Sequence, residues 1–254
     1  MKNIFSLKGK VAIVTGASRG LGKGMALGLA KSGAIIIGAS RDVKGLNQTI
    51  KEVKALGSDG FAVKTDVTKE KDINNVIKKT LQKYKKIDIL INNAGILRSG
   101  PAEKMSNKDW NDVININLTG MFLFARAVGR EMIKKKSGSI VNIASIAGQF
   151  GFPNAVSYDC SKGGIILMTK ALAAEWGKYG IRVNAIAPGI FKTKMTEAML
   201  KDPKTRAAFF ANIPLGRAGD PKELGGVANF LASDASSYVT GHVLVADGGW
   251  TAGL

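Results

Sequence analysis

The segment VAIVTGASRGLG, Val11 to Gly22, decides the fold. Its first five residues are apolar or β-branched, the composition of a buried strand, and they run directly into glycines at positions 16, 20 and 22. Glycines there allow a tight turn and let a pyrophosphate approach the backbone N–H groups at the positive end of the helix that should follow. The spacing is GxxxGxG, not the GxGxxG of the usual dinucleotide fingerprint. Its place between the first strand and a helix therefore carries more weight than its spacing. Gly16, Ser18, Arg19, Gly20, Leu21 and Gly22 are the candidate anion-cradling residues.

Outward from this segment, short apolar runs alternate with longer amphipathic stretches along nearly the whole chain, the pattern of βαβ units. Strands are expected at VAIVT from Val11, AIIIGAS from Ala34, GFAVK from Gly60, IDILIN from Ile87, SIVNIAS from Ser139, IRVNAIA from Ile181 and HVLVA from His242. They are almost entirely apolar, as strands covered by helices on both faces should be. Right-handed crossovers then give a doubly wound α/β fold of the Rossmann kind, a seven-stranded parallel sheet with helices on both faces. With no long linker and no repeat, residues 1–254 read as a single domain. Asp220, Pro221 and Glu223 mark a helix start by N-cap, first-position proline and returning acid, and Ser106 with Asp109 marks a weaker one. Residues 189–214, by contrast, follow a strand and delay the next capped helix by about thirty residues, long enough to suggest a substrate lid.

Composition narrows the setting. One cysteine, Cys160, excludes an intrachain disulfide, and one histidine, His242, leaves little for a zinc site, so no metal is expected and a reducing, cytoplasmic home fits. The N-terminal apolar stretch is broken by Ser6, Lys8 and Lys10, and no window of about 20 apolar residues exists, so no membrane partner is expected. The net charge of +18 raises nucleic acid or an acidic surface. The lysines of residues 64–86, however, are interleaved with acids and apolar residues at helical spacing, and Lys134, Lys135 and Lys136 precede a helix end, where cations are favoured. That pattern is a solvated surface with a general attraction for anions, and nucleic acid is not expected as a partner.

Tyr158 and Lys162 are four residues apart and so share one face of a helix. A tyrosine with an ordinary pKa of about 10 is a poor base at neutral pH, but a neighbouring ammonium favours the phenolate. Ser145 stands at the end of the fifth strand, where ligands collect in open α/β sheets. Cys160, two positions along the helix, reads as a small packing residue, His242 as structural, and Trp110, Trp176 and Trp250 as packing residues. Arg98 could meet an anionic substrate or solvent.

Taken together, TGASRGLG from Thr15, Asp66 in TDVT, NNAG from Asn92, Asn117 in NINLTG, Ser145, YDCSK from Tyr158 and PG at Pro188 resemble the short-chain dehydrogenase/reductase family over essentially the whole chain. The resemblance implies a catalytic tetrad of Asn117, Ser145, Tyr158 and Lys162. Tyr158 would exchange a proton with the alkoxide, Ser145 would hydrogen-bond the same oxygen, and Lys162 would hold the nicotinamide ribose and lower the pKa of Tyr158. Asn117 would hold a water on a proton path. Asn93, Ala94 and Gly95 would pack by the cofactor ribose, Asp66 and Val67 would meet the adenine, and Pro188, Gly189, Ile190 and Thr193 would hold the nicotinamide amide.

Charge then argues the cofactor. An acid after the second strand would bind the adenosine 2′-hydroxyl and repel a 2′-phosphate, whereas an arginine would accept it. The strand ends in Ser40 and Arg41, with Arg19 in the glycine loop, so NADP is expected and NAD is the second choice, served by Asp42 if the strand ends one residue later. Within the family, AEWGKYGIRVNAIAPG, TKMTEAML, IPLGRAGDP and DGGWTAG resemble gluconate 5-dehydrogenases and similar sugar-acid dehydrogenases, which implies a keto-sugar acid as the small-molecule substrate. Those enzymes usually carry two arginines and a histidine or glutamine after NNAG, where this chain has Arg98, Ser99 and Gly100. The alternative is a 3-oxoacyl-acyl-carrier-protein reductase. A catalytically silent nucleotide-binding regulator is opposed by the intact tetrad. Residues 113–133 and 165–176 are apolar over more than one helical face, and family members commonly pair these helices, which implies a homotetramer.

Overall fold

The computed structural model describes residues 3–253. Seven strands, β1 (Val11–Thr15), β2 (Ile35–Ser40), β3 (Gly60–Lys64), β4 (Ile89–Asn92), β5 (Gly138–Ile143), β6 (Ile181–Pro188) and β7 (Val243–Ala246), form one sheet in the order β3-β2-β1-β4-β5-β6-β7. Every pairing is parallel. The order reverses at β1 and β4, and this switch point opens a crevice beyond their C-terminal ends.

Strand periodicity explains the unbroken apolar runs. Ala12 and Val14 of β1 face one way, with Ile89 and Ile91 of β4, into a core closed by α1 (Gly20–Lys31), α2 (Val43–Ala55) and α9 (Leu224–Ala232). Val11 and Ile13 face the other way, with Leu90, into a core closed by α3 (Glu70–Tyr84), α5 (Gly120–Lys135) and α6 (Val156–Trp176). Helices cover both faces, so both sets of positions are mostly apolar, and the buried polar exceptions, such as Asn92 and Asn142, are hydrogen-bonded.

Several details differ from the sequence reading. The helix that Ser106 and Asp109 start does not run unbroken to β5: α4 (Asn107–Ile114) and α5 are joined through a π-helical turn at Asn115–Thr119. Residues 189–214 hold two short helices, α7 (Glu197–Lys201) and α8 (Pro203–Phe210). The second is capped: Asp202 accepts from the Thr205 amide at 2.8 Å, and Pro203 occupies the first position. This is the same signature that Asp220 and Pro221 display, where a complete capping box with Glu223 forms. Cys160 is exposed and Trp110 is 37% exposed, while Trp176 and Trp250 are buried. His242 lies one residue before β7, its amide bonded to Asn184 Oδ1.

Candidate active site

The glycine loop begins where β1 ends. Gly16 and Gly20 have φ of 66° and 55°, the left-handed region that disfavours other residues. A Cβ at Gly22 would lie 2.3 Å from the Gly16 carbonyl oxygen, and one at Gly16 would lie 2.7 Å from Asn93 Nδ2. The loop is therefore folded tightly against the segment after β4. Thr15 makes that junction: its hydroxyl accepts from the amides of Asn93 (2.8 Å) and Ala94 (3.0 Å), and Asn93 Nδ2 donates to the Thr15 carbonyl (2.9 Å). Arg19, the N-cap of α1, gives the helix no side-chain cap, and its first turn contains no acid. The positive end of a twelve-residue helix thus faces a cradle that a Cβ would fill, and these residues fit a dinucleotide pyrophosphate.

Beside it, Ser18 Oγ and Ser40 Oγ are 3.2 Å apart, and Arg19 and Arg41 are exposed. β2 ends at Ser40, and the Asp42 carboxylate caps α2, its Oδ1 accepting from Gly45 N at 3.0 Å. Asp66 accepts from the amide (3.0 Å) and hydroxyl (2.8 Å) of Thr68. Burial works to raise its pKa, but these bonds and the Arg41 charge outweigh it and hold the carboxyl below its ordinary value. Val67 is buried against Gly120. Gly95 is exposed and comes close to Asn117.

Ser145, Tyr158 and Lys162 converge beyond β5. Lys162 is 3% exposed, its ammonium donates to the Ile143 carbonyl at 2.7 Å, and it stands 5.4 Å from the centre of the Tyr158 ring. Burial pushes its pKa down to about 7. Tyr158 goes the other way: burial pushes the phenol up to about 12, against a hydrogen bond from Ser145 that works to lower it. The reduction in the tyrosine pKa expected from a neighbouring ammonium is not what prevails; desolvation disfavours the charged form of both groups.

Asn117 sits in the π turn, fully buried. Its Oδ1 accepts from Ile96 N at 2.8 Å, and its Nδ2 donates to Ile96 O at 2.9 Å and to Ser161 Oγ at 3.1 Å. Ser161 in turn donates to the Tyr158 carbonyl. The extra residue in the π turn thus ties the segment after β4 to α6. Because both amide protons of Asn117 are committed, the water expected on this residue cannot be held by them.

The segment after β6 closes the crevice. A Cβ at Gly189 would lie 2.6 Å from Asp247 Cβ. Ile190, which follows Gly189 after Pro188, accepts from Gly219 N at 2.9 Å. The Thr193 methyl lies where a Gly20 Cβ would meet it, at 3.6 Å, so the segment after β6 reaches the glycine loop. Among the described residues no group of side chains could hold a metal ion.

The sequence model of a family described as enoyl-(acyl carrier protein) reductase matches residues 16–251. The 3-oxoacyl-[acyl-carrier-protein] reductase of Thermotoga maritima is 44% identical, over 96% of this chain and 98% of that one. The 2-dehydro-3-deoxy-D-gluconate 5-dehydrogenase of Pseudoalteromonas atlantica is 44% identical, over 97% of each. A putative 2-deoxy-D-gluconate 3-dehydrogenase of Agrobacterium tumefaciens, solved with bound NADP, has a TM-score of 0.92 at 39% identity and covers 99% of this chain and 100% of its own. The chain belongs to the short-chain dehydrogenase/reductase family. It is an oxidoreductase acting on CH–OH groups with a nicotinamide cofactor, as its homologues are dehydrogenases and reductases.

Several structurally important residues of this short-chain dehydrogenase/reductase lie inside motifs that give them no role of their own. Thr15 opens TGASRGLG and Ser161 stands in YDCSK, yet neither was singled out. Asp247 accepts from Gly249 N, Thr251 N and the Thr251 hydroxyl, and this turn carries Trp250 into an apolar cluster with Ile146, Ile213, Phe152, Phe209 and Ile190. The "DG" of DGGWTAG is a turn signal that could have located it. Arg98 is drawn to Asp109, 3.4 Å away, on the exposed surface.

Proposed function

We propose that this chain is an NADP(H)-dependent dehydrogenase/reductase that interconverts a secondary alcohol and a ketone, with residues 1–254 as one catalytic domain and residues 189–214 as its substrate lid. The observation that carries the reading is the convergence of Ser145, Tyr158 and Lys162 beyond β5, across the switch-point crevice from an uncapped, glycine-lined helix start. When bound, the nicotinamide supplies or accepts the hydride.

Tyr158 gives its phenolic proton to the alkoxide oxygen in reduction and takes it back in oxidation. Ser145 donates a hydrogen bond to that oxygen, where charge develops. Lys162 holds the ribose hydroxyls. Those contacts favour the ammonium over the free amine, and a charged Lys162 then favours the phenolate of Tyr158. Asn117 keeps Ile96 and α6 in register. Gly16, Ser18, Arg19, Gly20, Leu21 and Gly22 cradle the pyrophosphate, Asp66 and Val67 flank the adenine, Asn93, Ala94 and Gly95 flank a ribose, and Pro188, Gly189, Ile190 and Thr193 hold the carboxamide. Ser40, Arg41 and Arg19 favour the 2′-phosphate of NADP, because β2 ends at Ser40 and the next residue, Arg41, is an exposed cation.

A keto-sugar acid is the first substrate reading, from the sugar-acid dehydrogenases among the relatives. A 3-oxoacyl thioester is the second, favoured by the apolar cluster of Phe152, Phe209 and Trp250 next to the reacting groups. Among the described residues no helix is long and apolar enough to cross a membrane, which accords with a cytoplasmic enzyme. Phe122 of α5 and Leu167 of α6 are 40% and 68% exposed, apolar surface that a homotetramer would cover. The deciding experiment follows nicotinamide absorbance with NADPH or NADH against 5-ketogluconate, 3-oxoacyl thioesters and diketones. Turnover that is faster with NADPH is expected. Cofactor binding without turnover of any carbonyl would overturn the assignment in favour of a silent nucleotide binder.

A further inference from the structure

Asp159 follows Tyr158 in the first turn of α6, and its charge disfavours the neighbouring phenolate, in opposition to Lys162. A carboxylate in that place works against proton abstraction, so what it contacts becomes informative. Its Oδ2 accepts from the Phe152 amide at 2.8 Å, while Oδ1 is buried without a hydrogen-bond partner among the described residues. Burial raises the pKa of this carboxyl and the Phe152 bond works to lower it.

Phe152 belongs to the loop between the turn after Ser145 and the start of α6. Two residues on, Asn154 adopts φ of 63°, a left-handed conformation unusual for a residue with a Cβ, and its carbonyl accepts from Gly100 N at 3.0 Å. The loop is thus tied at two points, by the Asn154 carbonyl to the segment after β4 and by the Phe152 amide to Asp159. The Phe152 ring meets Trp250 edge-on at 5.8 Å between centroids, and Trp250 meets Phe209 of the lid helix α8 at 5.7 Å. Ile146, next to Ser145, and Ile190, next to Gly189, complete the cluster. The cluster therefore joins three separate segments beside the reacting hydroxyls.

We propose that Asp159 is a positioning residue: through the Phe152 amide its carboxylate holds the loop that sets Phe152 against Trp250, and so completes the apolar wall against which the substrate's carbon skeleton lies. This rests on the oxidoreductase reading given above. The wall belongs to no single motif, and Asp159 is the side chain that fixes its loop member.

The test compares Asp159→Ala, Asp159→Asn, Phe152→Ala and the Asp159→Ala/Phe152→Ala double variant, using whichever carbonyl substrate of the panel the parent turns over. Asp159→Ala is expected to raise KM for that substrate about tenfold, the loss of one charge-assisted bond, with the Kd for NADPH unchanged. Asp159→Asn, whose amide oxygen can accept from the same N–H, should restore KM to within about twofold. Phe152→Ala should reproduce the rise, and the double variant should be no worse than either single one, because both act on the same wall. A readout independent of turnover is the Trp250 emission, obtained by subtracting the spectrum of the matching Trp250→Phe protein. It should shift to longer wavelength in Asp159→Ala and not in Asp159→Asn. An active parent with unchanged KM in Asp159→Ala, additive effects in the double variant, or a Trp250 emission that ignores Asp159 overturns the proposal. A parent that turns over no carbonyl overturns the oxidoreductase reading instead, and the Trp250 emission still decides whether Asp159 holds the loop.

Discussion

Between β1 and α1 the crevice is walled by backbone: Gly16 and Gly20 in left-handed conformations, a Gly22 with no room for a Cβ, and a helix start that carries no cap of its own. Between β5 and α6 it is walled by side chains: Lys162 on the Ile143 carbonyl, Tyr158 bonded to Ser145, Asn117 spending its amide on Ile96 and Ser161. The first region needs fixed dipoles and no titration, because a phosphate is already charged and only has to be met. In the proposed function the second moves a proton, so it needs groups whose pKa values depart from their ordinary ones, and burial supplies the departure. One half recognises and the other reacts, and each can be broken without the other.

The largest effect is expected from the reacting half. Tyr158→Phe removes one oxygen from the proposed proton donor and leaves the glycine loop untouched. Turnover should fall by about a hundredfold to ten-thousandfold, the range for general acid–base groups, while the Kd for NADPH measured by fluorescence titration stays within about threefold. Activity near that of the parent would detach Tyr158 from the chemistry and with it the contrast between the halves.

The complementary experiment is at the other end. Arg41→Ala removes an exposed cation that stands beside Ser40 and near Asp66. Loss of a charge-assisted contact of about 1.5 to 3 kcal/mol should weaken NADP binding by roughly ten- to a hundredfold and leave NAD binding nearly unchanged. Ser40→Asp should move the preference further toward NAD. Calorimetric titration with both cofactors checks this, and equal weakening of both by Arg41→Ala would place the 2′-phosphate elsewhere.

The two halves were also unequally legible. The glycine loop and the seven strands could be placed from sequence because each is local: apolar runs feed turns, and a sheet covered on both faces favours apolar residues along most of each strand. The reacting half depends on contacts between distant residues. The spacing of Tyr158 and Lys162 put them on one helical face, but spacing carries no information on burial, and burial reversed the expected direction of the tyrosine shift. The π turn around Asn117 was unreadable because the apolar pattern runs on through it from α4 to α5. The helix α8 was legible in principle, since Asp202 and Pro203 repeat the start signal of Asp220 and Pro221, and the apolar residues that follow were too few to draw attention to it. Asp159 and Asp247 matter through single loops that no periodicity marks.

The smallest effect per step, and the one that separates the halves by stability instead of activity, comes from titration of the reacting pair. Lys162 is pushed from its ordinary 10.5 down to about 7. Between those values the unfolded chain binds the extra proton, so stability rises with pH, by at most about 1.4 kcal/mol per pH unit. Tyr158 is pushed from 10.0 up to about 12, and between those values the folded chain binds the extra proton, so stability falls. Urea midpoints of the cofactor-free protein should therefore climb from about pH 7 toward pH 10 and then decline. Lys162→Met should flatten the climb and keep the decline, and Tyr158→Phe should do the reverse. Arg41→Ala, remote from the reacting pair, should leave both limbs in place. A climb that survives in Lys162→Met would mean that Lys162 keeps its charge at neutrality, and the ammonium would then act on Tyr158 in the free protein before any cofactor arrives.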